Sequence, residues 1–369
     1  MADTAPPFAD VDTPALLLDG AQLRENIRRV QQEASAGGMQ LRPHAKAHKS
    51  AHVAKLQMEA GATGICCSKL AEAEVMVAGG LRDILVTTPA VGALKIARLV
   101  ALARSATMAV VVDDAQNLAD IARAARDADV RIAIVVEVDV GQNRCGVGDA
   151  KDAVPLALQA GQASHLTFRG LQGYQGLLQS IASFEERESA VQAAMARLAQ
   201  ARDALAAAGI EVPVRTGGGT GSFPIDLRLK ALTELQPGSY VTMDATYTQV
   251  QWQPDVVAPL GQPLRVLTSV VSTRRQDKVV VDAGWKAVSC DAGPPKVRGR
   301  PDLRFEFAGD EHGAIVSANG GAVDLRPGER VELVPGHCDT TVNLYDRFVV
   351  HEAGTAHAFW PIEARGRCQ

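Results

Sequence analysis

The chain has 369 residues, 47% hydrophobic and 22% charged, with a formal net charge of −4. That length suits one large domain plus a smaller one, and the charge balance gives no reason to expect a nucleic acid or an anionic membrane as partner. No apolar run reaches the roughly 18 residues of a membrane span. The acidic, proline-rich start MADTAPPFADVDTP also lacks the basic and apolar regions of a signal peptide, so a cytoplasmic protein is expected. Cys66, Cys67, Cys145, Cys290, Cys338 and Cys368 form no CxxC pair and read as free thiols, mostly buried as small hydrophobes.

Taken in chain order, the apolar run Pro14–Asp19 comes first, then short strands alternating with alanine-rich helices. The predicted strands are Met39–His44, Gly64–Ser68, Asp83–Thr87, Thr107–Asp113, Arg131–Asp139, Thr167–Tyr174, Val212–Gly217 and Ser239–Asp244. Between them lie helical stretches such as Ala71–Ala78, Gly92–Ala103, Ala115–Ala125 and Ser183–Ala208. Alternation of this kind implies a parallel sheet. Eight runs too apolar for a solvated face favour closure into a (β/α)8 barrel over an open doubly wound sheet. After residue 245 glycine, proline and short alternating runs dominate: Leu264–Thr273, Lys278–Asp282, Arg304–Phe307, Ala314–Ser317, Arg330–Val334 and Asp346–Val350. The expectation is an α/β chain, with residues 20–245 as the barrel and residues 1–19 plus 246–369 as an antiparallel β domain without helices.

Barrels place their chemistry where the strands end. Those ends supply His44 and Lys46, Ser68, Thr87, Asp113, Asp139 with Arg144, Tyr174, Gly217–Ser222 and Asp244. Lys46, in LRPHAKAHKS, stands beside histidines where desolvation and neighbouring positive charge lower a lysine pKa and favour the neutral amine of a Schiff base. Lys49 competes for that role in the same loop, and a solvated surface lysine is the plain alternative. TGGGTGS at Thr216–Ser222 leaves backbone N–H groups free to approach an anion and adds the hydroxyls of Thr220 and Ser222. It lacks the spacing of nucleotide-binding loops, and its place after the seventh strand points to a phosphate. Arg144 either serves the site or pairs with Glu137 or Asp139. In VPGHCDTTVNLYD, His337 and Asp339 share one face of an extended strand and suit Mn2+ or Mg2+ with waters, or form a metal-free His–Asp pair. His312, in GDEHG, is a further site histidine or a turn residue.

The segments RPHAKAHKS, GICCSK, EVDVGQNRCGV, TGGGTGS, LQPGSY, VDAGWK, DEHG and PGHCDTTVNLYD together resemble one group of alanine-racemase-like, fold-type III pyridoxal-phosphate enzymes. That group comprises the D-threonine and 3-hydroxy-D-aspartate aldolases. The resemblance covers almost the whole chain. It implies pyridoxal phosphate on Lys46, with Arg144 and Tyr174 at its ring, Gly218, Gly219 and Thr220 at its phosphate, and Ser68 and Tyr240 close by. It makes Lys46 and His337 catalytic and assigns a divalent metal, Mn2+ or Mg2+, to His337 and Asp339. It further implies a homodimer that cleaves a small-molecule β-hydroxy-D-amino acid to glycine and an aldehyde.

Alternatives within the resemblance are 3-hydroxy-D-aspartate aldolase, with Lys286, Arg298 or Arg228 on the distal carboxylate, and a D-serine or D-hydroxyaspartate dehydratase. The dehydratase branch carries His-x-Cys, whereas here Asp339 stands two residues beyond His337 and the cysteine falls between. Ser68, Gln175 and the segment DATYTQ depart from the pattern of several relatives. A cofactor-carrier protein on a single barrel is the non-enzymatic alternative, and the second domain argues against it.

Overall fold

The computed structural model describes residues 8–254, 256–257 and 259–369. The first strand, β1 (Ala15–Asp19), ends in the residue that starts the next element. The Asp19 carboxylate accepts the Gln22 N–H at 3.0 Å and satisfies a free amide in the first turn of α1 (Gly20–Ala36). Leu23, Ile27, Val30 and Ala34 recur at helical spacing along α1 and are buried.

Strands and helices then alternate: β2 (Gln40–Leu41), α2 (Ala51–Glu59), β3 (Ile65–Cys67), α3 (Leu70–Ala78), β4 (Asp83–Val86), α4 (Ala93–Ala103), β5 (Thr107–Val112) and α5 (Ala115–Asp127). They continue as β6 (Ile132–Glu137), α6 (Ala153–Gln162), β7 (Leu166–Gly173), α7 (Phe184–Ala207), β8 (Val214–Gly217), α8 (Phe223–Leu229) and β9 (Glu234–Leu235). Strands β2 to β9 are parallel in the order β2-β9-β8-β7-β6-β5-β4-β3. A parallel bridge between His44 and Cys66 closes the ring. This is the expected barrel.

The eighth strand lies earlier than the predicted Ser239–Asp244. It is β9, and Ser239–Val241 is a 3-10 turn. Pro237 explains the shift: Gln236 N–H still reaches Gly217 O at 2.8 Å, but the proline has no N–H to carry the ladder on. The barrel interior also holds charge that the apolar runs hide. Arg42 is wholly buried between Asp83 (2.7 Å) and Glu234 (2.9 Å). A Cβ on Gly64 would lie 1.9 Å from that guanidinium, so only glycine fits there.

Beyond the barrel, β10 (Gln251–Gln253) and β11 (Val256–Val257) form a two-stranded ribbon. A nine-stranded sheet follows, built from β12 (Leu264–Ser272), β13 (Lys278–Val281), β14 (Lys296–Val297), β15 (Leu303–Phe307), β16 (Gly313–Ser317), β17 (Arg330–Val334), β18 (Arg347–Glu352), β19 (Thr355–Pro361) and β1. Strand β1 sits between β12, antiparallel, and β18, parallel, so the N-terminal apolar run is an extra strand of this second sheet. The expectation of a region without helices fails, because α9 (Cys338–Val342) interrupts it.

The last segment fastens the second sheet to the barrel. Glu363 accepts the Ala51 N–H at 3.1 Å, Ala364 N–H donates to Lys49 O at 3.0 Å, and Gln369 O accepts the Ala71 N–H at 3.0 Å. Among the described residues, no helix is long and apolar enough to cross a membrane.

Candidate active site

Past β2 the chain makes a single 3-10 turn, Ala45–Ala47, that presents Lys46. Its side chain is 40% exposed, and it opens into a cleft lined also by His44, Ser68, Thr87, Arg144, Tyr174 and Gln236. Lys49 points elsewhere: it is buried, with Nζ 2.7 Å from Glu72 Oε1, and the second Glu72 oxygen accepts the Ser68 N–H at 2.8 Å. Glu72 thus uses Lys49 as its counter-ion. Of the expected Lys46 and its competitor Lys49, only Lys46 has an amine available to the cleft.

His44 forms one wall. Burial, reinforced by the charges of Lys46, His48 and Arg144, holds its pKa well below the ordinary histidine value, so the ring is neutral. Its Nδ1 faces the Lys46 N–H at 3.4 Å, which leaves the ring proton on Nε2 to donate to Thr87 Oγ1 at 3.1 Å. The lysine itself departs from expectation. Burial pulls its pKa down, but the Asp339 carboxylate and the Tyr174 phenol outweigh that, and the net shift is upward.

Arg144 rides on a loop shaped by the acids that precede it. Asp139 accepts the Gly141 and Asn143 N–H groups at 2.9 and 3.0 Å, and Asp113 accepts the Gly146 N–H at 2.8 Å. The guanidinium lies 5.3 Å over the Tyr174 ring and 3.9 Å from buried Glu137. Burial raises the Glu137 pKa to about 7 against the pull of Arg144, so the ion pair is only partly developed near neutral pH.

Strand β8 runs into the glycine segment. Gly218 has φ +72°, and a Cβ there would lie 2.5 Å from Asp226 Oδ2. A Cβ on Gly219 would lie 2.6 Å from Gln179 Oε1, so the loop backbone packs with no room for side chains. Gln179 fixes it further, since its amide donates to Ser222 Oγ and accepts from Ser222 N–H, both at 3.0 Å. Wholly buried Arg187 donates to Gly221 O at 2.9 Å and to Gln251 O. The Thr220 hydroxyl is buried with no partner, an orphan that fits a polar group approaching the loop.

The second sheet contributes His337 and Asp339, though not from a strand. His337 is the N-cap of α9, with Asp339 in the first helical turn. The pair still converges, with Nε2 4.0 Å from Asp339 Oδ2, while Cys338 is buried and donates its N–H to Asp244 at 2.5 Å. Burial lowers the His337 pKa, but Asp339, Asp244 and Asp291 reverse this and the net shift is upward. Asp339 Oδ2 lies 3.9 Å from Lys46 Nζ, and Asp339 Oδ1 is buried without a partner. Among the described residues, no set of three His, Cys, Asp or Glu side chains forms a metal cluster.

The structure therefore brings Lys46, Ser68, Arg144, Tyr174, His337 and Asp339 around one place. Gly218, Gly219 and Thr220 lie at the end of the neighbouring strand. Tyr240 is not among them: it is fully buried and its hydroxyl accepts the Gln57 amide at 3.0 Å, because the turn after Pro237 directs it into the core. Gln179, Arg187 and Asp291 were missed from sequence. Their contacts with Ser222, Gly221 and His337 span 34 to 46 residues, and no local motif marks them.

Two family models match the chain: "Alanine racemase, N-terminal domain" over residues 18–246 and "Putative serine dehydratase domain" over residues 263–351. A 3-hydroxy-D-aspartate aldolase of Paracoccus denitrificans (strain Pd 1222) is 41% identical, covering 97% of this chain and 93% of that protein. A D-threonine aldolase of Arthrobacter sp is 42% identical, covering 99% of this chain and 96% of that protein. The crystal structure of the D-threonine aldolase from Filomicrobium marinum superposes with a TM-score of 0.94 at 39% identity and covers 98% of each chain.

Proposed function

The chain belongs to the alanine racemase N-terminal domain family, and from that premise we propose that it is a metal-assisted aldolase with the site residues assigned below. It is a pyridoxal-phosphate-dependent carbon–carbon lyase that cleaves a β-hydroxy-D-amino acid, of D-threonine type, to glycine and an aldehyde. The observation that carries the site assignment is the 3.9 Å approach of Lys46 Nζ to Asp339, which joins the amine of the barrel to the His–Asp pair of the second sheet.

The residues present fit the cofactor. Among the described residues lining the cleft, Lys46 alone offers an amine, and the orphaned Thr220 hydroxyl sits in a loop of glycines that carry no side chains of their own. Lys46 would anchor pyridoxal phosphate through Nζ, with Arg144 and Tyr174 flanking the ring and Ser68 close by. Gly218, Gly219 and Thr220 would receive the phosphate. The cofactor supplies a sink for the electron pair left on Cα when the Cα–Cβ bond breaks. Around it, neutral His44 adds no charge to the wall of the cleft, and Arg144, which can only donate, supplies no acid to a ring nitrogen.

A divalent cation, Mn2+ or Mg2+, fits His337 and Asp339. Their side chains converge, Nε2 standing 4.0 Å from Asp339 Oδ2, and Asp339 Oδ1 is buried without a partner, as a site awaiting a cation would leave it. An imidazole and a carboxylate with waters suit these metals, whose chemistry here is to lower the pKa of the substrate β-hydroxyl. Fully buried Cys338 offers His337 no thiolate, which favours cleavage over dehydration. The cations considered for a distal substrate carboxylate, Lys286, Arg298 and Arg228, pair with Glu311, Glu332 and Glu188 and do not line the cleft around Lys46. That favours a D-threonine-like side chain over 3-hydroxy-D-aspartate, which would yield glyoxylate.

We read residues 20–245 as the cofactor-binding unit and residues 1–19 plus 246–369 as the unit that carries the metal pair. Six free cysteines suit a reducing, cytoplasmic setting. Exposed Val91 and Leu177 on strand-to-helix loops, with Leu94 in the first turn of α4, give the barrel an apolar rim for a second copy in a homodimer.

The test is to load the protein with pyridoxal phosphate and Mn2+ and assay glycine release from D-threonine and DL-threo-3-hydroxyaspartate, with and without EDTA. Borohydride reduction and peptide mapping locate the cofactor adduct. Glycine release abolished by EDTA, with the adduct on Lys46, is the expected result. Ammonia without glycine would move the function to a dehydratase, and no adduct on Lys46 would overturn the site assignment.

A further inference from the structure

We infer that Asp291 is a positioning residue that holds His337 in the one ring form able to bind a cation, an inference that rests on the metal reading above. Asp291 lies in the loop between β13 and β14, 46 residues before His337. One of its oxygens, Oδ1, is occupied by two hydroxyl donors, Ser289 Oγ at 2.6 Å and Thr340 Oγ1 at 2.9 Å. The other, Oδ2, is thereby left to His337 Nδ1 at 2.5 Å.

A carboxylate can only accept, so Nδ1 must carry the proton of this contact. A neutral imidazole has a single N–H, so Nε2 is left with its lone pair, and Nε2 is the atom that faces Asp339. The backbone is pinned as well. The Thr341 hydroxyl donates to His337 O at 2.9 Å, and Ser289 N–H donates to Thr341 Oγ1 at 3.2 Å. The loop carrying Asp291 and the start of α9 are thus stitched together by hydroxyls, which holds Nδ1 on Asp291 and turns Nε2 towards Asp339. A merely structural His–Asp pair would leave cation affinity alone. An orienting pair sets it, because a carboxylate on the far ring nitrogen fixes the ring form and raises ligand basicity.

The experiment titrates Mn2+ into the pyridoxal-phosphate-loaded enzyme and reads free Mn2+ by electron paramagnetic resonance, with the thermal midpoint and the visible absorbance of the bound cofactor recorded alongside. Asp291→Ala should weaken Mn2+ binding by about 10- to 100-fold while the cofactor absorbance stays as in the wild type. Asp291→Asn, whose amide oxygen can still accept from Nδ1, should fall between the two. Thr340→Val, which only loosens the carboxylate, should lose affinity several-fold and carries the test with Asp291→Asn if Asp291→Ala does not fold. Variants that shift the thermal midpoint yet bind Mn2+ within twofold of the wild type would overturn the inference and leave a structural pair. A wild-type enzyme that does not bind Mn2+ would overturn it together with the metal reading, which keeps the two failures apart.

Discussion

The Lys49 amine sits 2.7 Å from Glu72 with both side chains buried, and that same carboxylate receives the Ser68 N–H beside the cleft. Removing one partner of a buried pair strands the other charge, so Lys49→Met should cost about 3–5 kcal/mol of stability in urea unfolding. Lys46, 40% exposed and 3.9 Å from its carboxylate, belongs to a different class. Lys46→Ala should unfold within about 1 kcal/mol of the wild type yet show no borohydride adduct. If Lys46→Ala kept the adduct while Lys49→Met lost it with stability unchanged, the roles given to the two lysines would be reversed. The resemblance chose Lys46, but residue chemistry alone could not separate the two, because both follow one strand in one loop. Burial and the reach of Glu72 from α3 decide it, and those are tertiary facts.

At the scale of elements, the loop between β8 and α8 is held by its neighbours more than by its own residues. Arg187 of α7 binds Gly221 O, Gln179 brackets Ser222, and Asp226 of α8 accepts the Ser222 hydroxyl at 2.7 Å. Gly218→Ala should lower stability by about 1–2 kcal/mol from the left-handed backbone alone. Contact with Asp226 adds to that cost. The variant should also release pyridoxal phosphate more readily on dialysis, a loss followed by absorbance. Retention as in the wild type would remove this loop from the phosphate site.

The triplet glycine was legible because its spacing is local. The eighth strand was legible only as to its existence. The residues Ser239–Asp244 carry the pattern of a strand, but Pro237 ends the ladder before them. The helix at Cys338 was hidden because five residues give no periodicity to read. The pairing of His337 with Asp339 nevertheless survives the change from strand to helix start.

For the whole molecule, buried acids set the response to pH. Burial, against a hydrogen bond from Ser222, lifts Asp226 from 3.8 to about 7, so the folded chain keeps a proton that the unfolded chain gives up near pH 4. The folded state binds more protons across that window, and stability must fall as pH rises through it. Asp226→Asn removes the penalty. Its thermal midpoint relative to the wild type should improve from about pH 4 to about pH 7 and level off above, and a difference independent of pH would refute the buried acid.

Both sheets were visible in the sequence as a change of texture near residue 245, and the N-terminal run was read with the second one; what the sequence did not show is that β1 lies between β12 and β18. That placement has a cost in time. At roughly 5–20 residues per second, a ribosome needs about ten seconds to most of a minute to go from β1 to its partner β12. It needs longer still to reach β18. Throughout that interval the whole barrel can emerge and close, while Leu16, Leu17 and Leu18 wait in solution without a neighbouring strand. The second sheet is therefore the part of the newborn chain whose first strand must wait for partners made last.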